Sequence, residues 1–170
     1  MKKLLLSLAL GLATTFTLSA QRIAYVDVNQ VLENIVEYNE AQRELDQLAG
    51  RWREEIAKEY DKIKSMYNRY QAEQVLLSDE ARRQKEEEIL EKEKSVRELQ
   101  KSRFGPEGSL FKRRQELVRP IQDRVFAAIE EYANDRGFDF IFDQSGAAGM
   151  IFASPKYDKT EDLINKLKKN

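Results

Sequence analysis

The stretch from Tyr38 to Phe104 constrains the fold more than any other part of this chain. It consists mainly of Glu, Lys, Arg, Gln and apolar residues, and it contains one glycine, Gly50, and no proline. Such a composition favours helix. The apolar residues recur at steps of three or four, which is typical of a coiled-coil seam. The predicted seam residues are Tyr38, Ala41, Leu45, Leu48, Trp52, Ile56, Tyr60, Ile63, Tyr67 and Tyr70.

A reversal of the chain is predicted near residue 78. The segment 76–80 interrupts the seam, and either Ser78 or Asp79 can cap a new helix there. The outgoing helix would then be about 55–60 Å long. We therefore expect residues 38–104 to form an antiparallel coiled-coil hairpin that projects from the rest of the protein, and we expect the function to lie in this projection.

The segments on either side of the hairpin predict a small body that contains β-structure. Residues 23–28 alternate and are rich in β-branched and aromatic side chains, so they predict a strand that leads into a short helix capped by Asp27 or Asn29. Residues 138–143 and 149–153 predict a second and a third strand. In the last helix, Asp158 and Glu161 have the spacing of a capping box. The fold class is therefore α+β and mostly α, with a body formed by residues 21–37 and 105–170.

The predicted body is too small to hold long arms on its own. Three short strands and two helical faces bury little apolar area, and unpaired strand edges favour association. A closed oligomer, with a β-barrel built from strands of each subunit, removes both problems. The residues predicted in the body core and the oligomer interface are Ile23, Tyr25, Val26, Val28, Phe138, Phe140, Phe142 and Ile151.

A glycine- and proline-containing segment, residues 104–109, interrupts the returning arm. It lacks the glycine pattern and the lysine of a phosphate-binding loop. Ser109 is the predicted cap of the helix that resumes after it, and this helix is predicted to end at a glycine. If Gly50 on the outgoing arm lies beside Gly105 and Pro106, the three residues can form a hinge that lets the arms spread.

The composition excludes several classes of function. The chain contains no histidine and no cysteine, which removes histidine acid–base catalysis, cysteine nucleophiles, disulfides and the commonest zinc sites. No carboxylate spacing indicates a site, so we predict no catalytic residue, metal or cofactor, and no enzyme activity. The net charge is −1, which argues against a nucleic-acid partner and leaves membrane contact at most peripheral.

The first twenty residues predict export. Lys2 and Lys3 provide a positive start, residues 4–18 are apolar, and Ser19 and Ala20 are small residues before a cut at Gln21. The apolar stretch is shorter than the ~20 residues that span a bilayer, so residues 1–20 are interpreted as a signal peptide. The expected location of the mature protein is the periplasm, as a soluble protein.

This arrangement resembles the Skp/OmpH family of periplasmic chaperones. The resemblance covers the whole mature chain, and its most specific parts are Ile-Ala-Tyr-Val-Asp at 23–27 and Gly-Phe-Asp-Phe-Ile-Phe-Asp at 137–143. It implies a homotrimer with a β-barrel body and three helical tentacles around a cavity. The cavity would hold unfolded outer-membrane β-barrel proteins, without ATP, until the outer-membrane assembly machinery receives them. Because the arms here are near neutral, we carry over no lipopolysaccharide site.

A holdase of this kind needs many weak, reversible contacts with its client. For each aromatic residue of the arm, packing inside the seam is the competing interpretation, and for the leucines near residue 78 it is packing of the turn. The alternative function is a structural or adaptor coiled coil that binds one folded partner. The candidate client-contact residues are Trp52, Tyr60, Met66, Tyr67, Tyr70, Leu76 and Leu77.

Overall fold

The computed structural model describes residues 21–146 and 149–168, so the predicted signal peptide lies outside the described residues. The described part is mostly helical with a small sheet, which confirms the α+β, mostly α fold class. Two 3₁₀ turns occur, at Gln74–Leu76 and Pro155–Tyr157. The elements are, in chain order, β1 (Ile23–Val26), α1 (Val28–Glu33), α2 (Val36–Glu73), α3 (Asp79–Phe104), α4 (Ser109–Arg136), β2 (Phe140–Asp143) and α5 (Thr160–Leu167).

The predicted hairpin is present. Helix α2 has 38 residues, a length of roughly 57 Å, and α3 returns alongside it after the turn at 74–78. Of the two predicted caps, Ser78 is the N-cap: its hydroxyl accepts a hydrogen bond from the N–H of Ala81 at 3.3 Å. Asp79 and Glu80 follow in the first turn, where the helix dipole favours negative charge.

The predicted break in the returning arm is also present, but the predicted cap is wrong. Gly108, not Ser109, is the N-cap of α4, and the Ser109 hydroxyl instead donates to the carbonyl oxygen of Ser102 at 3.3 Å. The backbone passes so close to itself here that a Cβ on Gly108 would lie 2.8 Å from the carbonyl oxygen of Arg103. A glycine is therefore needed at this position for steric reasons.

Helix α4 continues the pairing along α2 past the break. The guanidinium of Arg113 donates to Glu44 at 2.7 Å, and that of Arg124 donates to Glu37 at 3.2 Å. Helix α4 runs through Pro120 and ends at Gly137, as predicted, where the left-handed φ of 66° suits glycine.

The body packs one face of a two-stranded parallel sheet against helices. Strand β1 pairs with β2 in the register Ile23 with Phe140 to Val26 with Asp143. The face that carries Val26 covers a core shared by α1, the start of α2, α4 and α5, in which Val125 and Leu163 are fully buried. The outer edge of β1 is occupied, because the N–H of Lys159 donates to the carbonyl oxygen of Tyr25 at 2.9 Å. Within the described residues, β2 therefore carries the open edge.

The predicted third strand is wrong for the single chain. The described residues of this segment, 149–153, have no regular structure, and the side chains of Ile151 and Phe152 are 100% and 84% exposed. A strand needs the backbone hydrogen bonds of a neighbour, and among the described residues none is aligned with this segment.

The eight predicted body-core residues fall into two groups. Tyr25, Val26 and Val28 are buried, and Phe138 is half-buried and stacks on Tyr132 with ring centroids 6.0 Å apart. The other four are exposed in the single chain. These four residues are Ile23, Phe140, Phe142 and Ile151.

The predicted capping box of the last helix is also wrong. Asp158 accepts hydrogen bonds from the N–H and the hydroxyl of Thr160, at 2.9 and 2.6 Å, and the helix starts at Thr160. The Thr160 oxygen in turn accepts from the N–H of Asp27 at 2.9 Å. The buried Thr160 side chain therefore connects the start of α5 to the end of β1 by hydrogen bonds, in place of the predicted capping box.

Candidate functional site

The seam between α2 and α3 divides the arm into two flanks of different chemistry. The seam is formed by Ala49, Ile56, Ile63 and Tyr70 of α2, which repeat every seven residues, and by Ile89 and Val96 of α3. We call one side the tyrosine flank; it carries Arg53, Ala57, Tyr60, Tyr67, Leu90, Glu93, Gln100 and Phe104. We call the other the ionic flank; it carries Glu55, Glu59, Lys62, Ser65, Met66, Lys85, Glu88, Lys92 and Ser95.

Tyrosine hydroxyls link the two helices. Tyr60 donates to the side-chain carbonyl of Gln100 at 3.4 Å, and Tyr67 donates to the carboxylate of Glu93 at 3.0 Å. Tyr70 donates to a glutamate in the same way. These bonds to carboxylates are the main reason why the phenol pKa values of Tyr67 and Tyr70 are raised.

Exposure separates these three candidate contact residues. Only 9% of the surface of Tyr70 is exposed, so in the single chain this residue packs inside the seam. Tyr60 and Tyr67 remain 45% and 40% exposed, although their hydroxyls are bonded across the seam. Their rings are thus held in place by the fold while they still present area to solvent.

A groove runs beside Tyr60 on the tyrosine flank. Its volume is about 420 Å³, within the range of sites that accept apolar groups. Its floor is the buried Ile56, and it is flanked by the aromatic rings of Tyr60 and Phe104. Arg53 and Gln100 provide polar atoms at its rim.

The ionic flank carries several ion pairs beside a groove of about 360 Å³. Glu59 accepts from the ammonium of Lys62 at 2.6 Å and from that of Lys92, which reaches across from α3. Lys85 pairs with Glu88 at 3.3 Å. The hydrogen bond from Lys62, then that from Lys92, holds the pKa of Glu59 at about 2, below its usual value of 4.5.

Glu59 predicts an acid sensitivity of the arm. Because its pKa is lower in the folded chain, its contribution is fully present above pH ~4.5 and is lost as the pH falls towards 2. Glu59→Gln should therefore flatten the fall of the melting temperature between pH 6 and pH 3, measured by circular dichroism. Glu91→Gln, on the same helical arm and outside every ion pair of the described residues, is the control. An unchanged pH dependence in Glu59→Gln would contradict this role.

The end of the arm exposes aliphatic side chains. Val75 and Leu76 are 82% and 84% exposed, and Leu77 is partly buried. Arg82 closes the turn by donating to the backbone carbonyl of Gln74 at 3.0 Å. Turn packing therefore does not account for Leu76, which leaves its side chain available for contact.

Near the body, a half-buried arginine occupies a seam position of α3. Arg103 follows Ile89 and Val96 at the seven-residue spacing of the seam, and its buried Nε has no hydrogen-bond partner. Its guanidinium lies 4.7 Å from the ring centroid of Trp52, which also meets the ring of Phe104 at 6.2 Å. An unsatisfied buried donor costs about 1–3 kcal/mol, and the ion pair of the same guanidinium with Glu55 at 3.5 Å and its contact with Trp52 offset part of this cost.

The three predicted hinge residues lie at the same height along the arm as Trp52 and Phe104. The contact between Trp52 and Phe104 places Gly50 and Gly105 within about one helical turn of each other along the arm. Pro106 follows in the break between the two returning helices, while α2 stays continuous through Gly50.

Sequence periodicity missed part of the tyrosine flank. Leu90 is 59% exposed on α3, and the only signal for it was an apolar residue directly after the seam residue Ile89. Met66, a predicted contact residue, is half-buried on the opposite flank. The candidate residues therefore do not form one continuous surface.

The comparisons with known proteins agree on one family. The model of the OmpH family, described as outer membrane protein (OmpH-like), matches residues 22–167. A solved structure of a candidate OmpH-like outer membrane chaperone from Caulobacter crescentus has a TM-score of 0.68 and 10% identity. The match covers 89% of this chain and 86% of that one, and at this identity it shows a shared fold. No curated protein matches the chain in sequence.

Proposed function

The chain belongs to the OmpH-like family, and from this premise we propose that it is an ATP-independent periplasmic holdase. It binds unfolded outer-membrane β-barrel proteins and keeps them soluble until the outer-membrane assembly machinery receives them. The family and its structural neighbour support a chaperone role in general. The observation that carries the finer proposal is the long arm with half-exposed aromatic side chains that the fold holds in place.

Such an arm suits binding without an energy source. Each exposed aromatic or aliphatic side chain adds at most about 1.5–3 kcal/mol when a client covers it, so each contact breaks readily while many together hold the chain. Tyrosine provides a large contact area with few rotatable bonds. The proposed contacts are Trp52, Tyr60, Met66, Tyr67, Tyr70, Leu76 and Leu77, of which Tyr70 is available only if the seam opens.

The body supports the proposal of a homotrimer. The outer face of the sheet carries Phe140 and Phe142, which are about half exposed and stacked with ring centroids 6.3 Å apart. Ile23 lies beside them by register, and the segment around Ile151 is also exposed. An open strand edge next to such a face favours association, and a three-fold assembly would enclose the cavity between the arms.

We propose that the segment of the arm around Gly50, Gly105 and Pro106, where Gly105 and Pro106 interrupt the returning helix, acts as a hinge. Alanine at Gly50 would meet no atom within 4 Å and should stabilise the helix by about 0.5–1 kcal/mol. Gly50→Ala combined with Pro106→Ala should therefore stiffen the arms and weaken the retention of larger clients. Small-angle scattering of the protein with and without client measures how far the arms spread apart. If the spread of the arms and the size range of bound clients are both unchanged, the proposed hinge is contradicted.

A direct assay tests the holdase proposal. A urea-unfolded outer-membrane β-barrel protein is diluted into buffer with and without the mature protein, and the turbidity is followed without ATP. Suppressed aggregation at stoichiometric amounts is the expected result. If the barrel protein aggregates equally in both samples, the adaptor function becomes the better account, and saturable binding of a single folded protein would establish it. Residues 1–20 are tested separately by the location and mass of the exported product.

A further inference from the structure

We propose that clients are held on the tyrosine flank of the arm and not on the ionic flank, as extended segments that carry aromatic and aliphatic side chains and little charge. This assignment rests on the proposed holdase function and states which surface and which segments it uses. It adds Ala57 and Leu90, on two different helices, to the contact surface, and it removes Met66, which lies on the ionic flank.

The two flanks differ in their distribution of charge. On the ionic flank the carboxylates of Glu59 and Glu88 are paired with lysines of the same flank. A client segment lying there would have to break ion pairs or leave charges desolvated beneath it, and either would oppose binding. Three ion pairs of this flank therefore oppose its use as a contact surface, whereas the tyrosine flank carries one among the described residues, between Arg97 and Glu93.

The two flanks also differ in their exposed apolar area. On the tyrosine flank, Tyr60, Tyr67 and Leu90 are 40–59% exposed. On the ionic flank Met66 is half-buried and lines the groove of about 360 Å³. Glu93 of the tyrosine flank accepts from Tyr67 and pairs with Arg97, so this flank presents ring faces and methyl groups more than unpaired carboxylates.

The groove beside Tyr60 indicates what the flank accepts. Arg53 stands at its rim and forms no ion pair within the described residues, so its guanidinium is free to stack on an aromatic ring. The opposite rim is the amide of Gln100, and the walls are aromatic. An aromatic side chain of a client matches this combination better than a carboxylate or an ammonium group.

Site-specific photo-crosslinking tests the assignment. A benzoylphenylalanine replaces one exposed residue at a time, either Ala57 or Leu90 on the tyrosine flank, or Ser65 or Ser95 on the ionic flank. The full mature protein is then loaded with a urea-unfolded outer-membrane β-barrel protein. We expect client adducts from positions 57 and 90 at several times the yield from 65 and 95. Equal yields from both flanks would overturn the assignment.

Charge-matched variants provide the second measurement. Ala57→Glu with Leu90→Glu places two carboxylates on the tyrosine flank, and Ser65→Glu with Ser95→Glu places two on the ionic flank. All four positions are exposed, so the hairpin should fold in both, which circular dichroism checks. We expect the first pair to raise the apparent Kd for the client by about tenfold and the second pair by less than about twofold.

The results of these experiments distinguish the holdase function from the assignment of the client to one flank. If the wild-type protein fails to bind the client, the holdase function is overturned and the flank assignment with it. If the wild-type protein binds and both pairs weaken binding equally, only the flank assignment is overturned. Leu76→Glu tests the end of the arm, and an effect larger than that of the tyrosine-flank pair would overturn the flank assignment and move the contact surface to the tip.

Discussion

Leu163→Ala is expected to lower the free energy of unfolding by about 2–5 kcal/mol, because it removes a fully buried leucine and leaves a cavity. Leu163 lies on α5 with none of its surface exposed and packs into the same core as Val125 of α4 and Val26 of β1. The residue therefore holds the last helix to both the base of the arm and the sheet. Urea unfolding followed by circular dichroism, at one protein concentration, measures the change.

Leu76→Ala is the matched control for this prediction. The substitution is the same, but Leu76 is 84% exposed at the tip of the arm, where truncation should change the free energy of unfolding by less than about 0.5 kcal/mol. Equal losses in the two variants would contradict the described core and the position of α5 in it.

Replacing both Phe140 and Phe142 by serine is expected to convert the proposed trimer into a monomer. Truncation of one buried aromatic residue costs about 3–5 kcal/mol, and a trimer would bury six of these rings. In the single chain the two side chains are about half exposed and contact each other, so the fold of the subunit should survive. Sedimentation velocity measures the oligomer, and circular dichroism checks the fold.

Phe126→Ser is the control for the oligomer interface. Phe126 is 55% exposed on α4 and is not part of either strand, so its loss should leave the proposed trimer intact. A double variant at Phe140 and Phe142 that remains trimeric would show that the aromatic face of the sheet is not the interface. Dissociation caused by Phe126→Ser would show that the interface extends along α4.

Local physical chemistry made the arm predictable from the sequence. A seam of apolar residues at steps of three and four requires only a helix and a partner, and the chain supplies both within 67 residues. The Ser78 cap and the Gly137 terminus depend on hydrogen bonds and backbone angles within one turn. These features need no knowledge of distant contacts.

Features that depend on distant contacts were not predictable in the same way. A strand at 149–153 has the right side chains, but it needs a neighbouring backbone that the described part of a single chain does not provide. The exposure of Phe140 follows from its position on the outer face of the sheet, which periodicity alone does not fix. Gly108 replaced Ser109 as the cap because of a close approach to Arg103 that only the folded chain reveals.

The candidate surface was predicted only in part. Helical spacing placed Tyr60, Tyr67 and Tyr70 near the seam, but it could not state which of them the partner helix covers. The three tyrosines differ in exposure because of the register of the hairpin, which puts Glu86, Glu93 and Gln100 opposite their hydroxyls. Leu90 was missed because no seam position demands an apolar residue there.

Light scattering of the mature protein, alone and after dilution of a urea-unfolded outer-membrane β-barrel protein into it, tests the central proposal most directly. The account predicts a mass of three copies for the protein alone and a soluble complex of defined larger mass with the client. A trimer that leaves the client to aggregate would contradict the holdase function and favour the adaptor. A stable monomer would contradict the shared barrel as well.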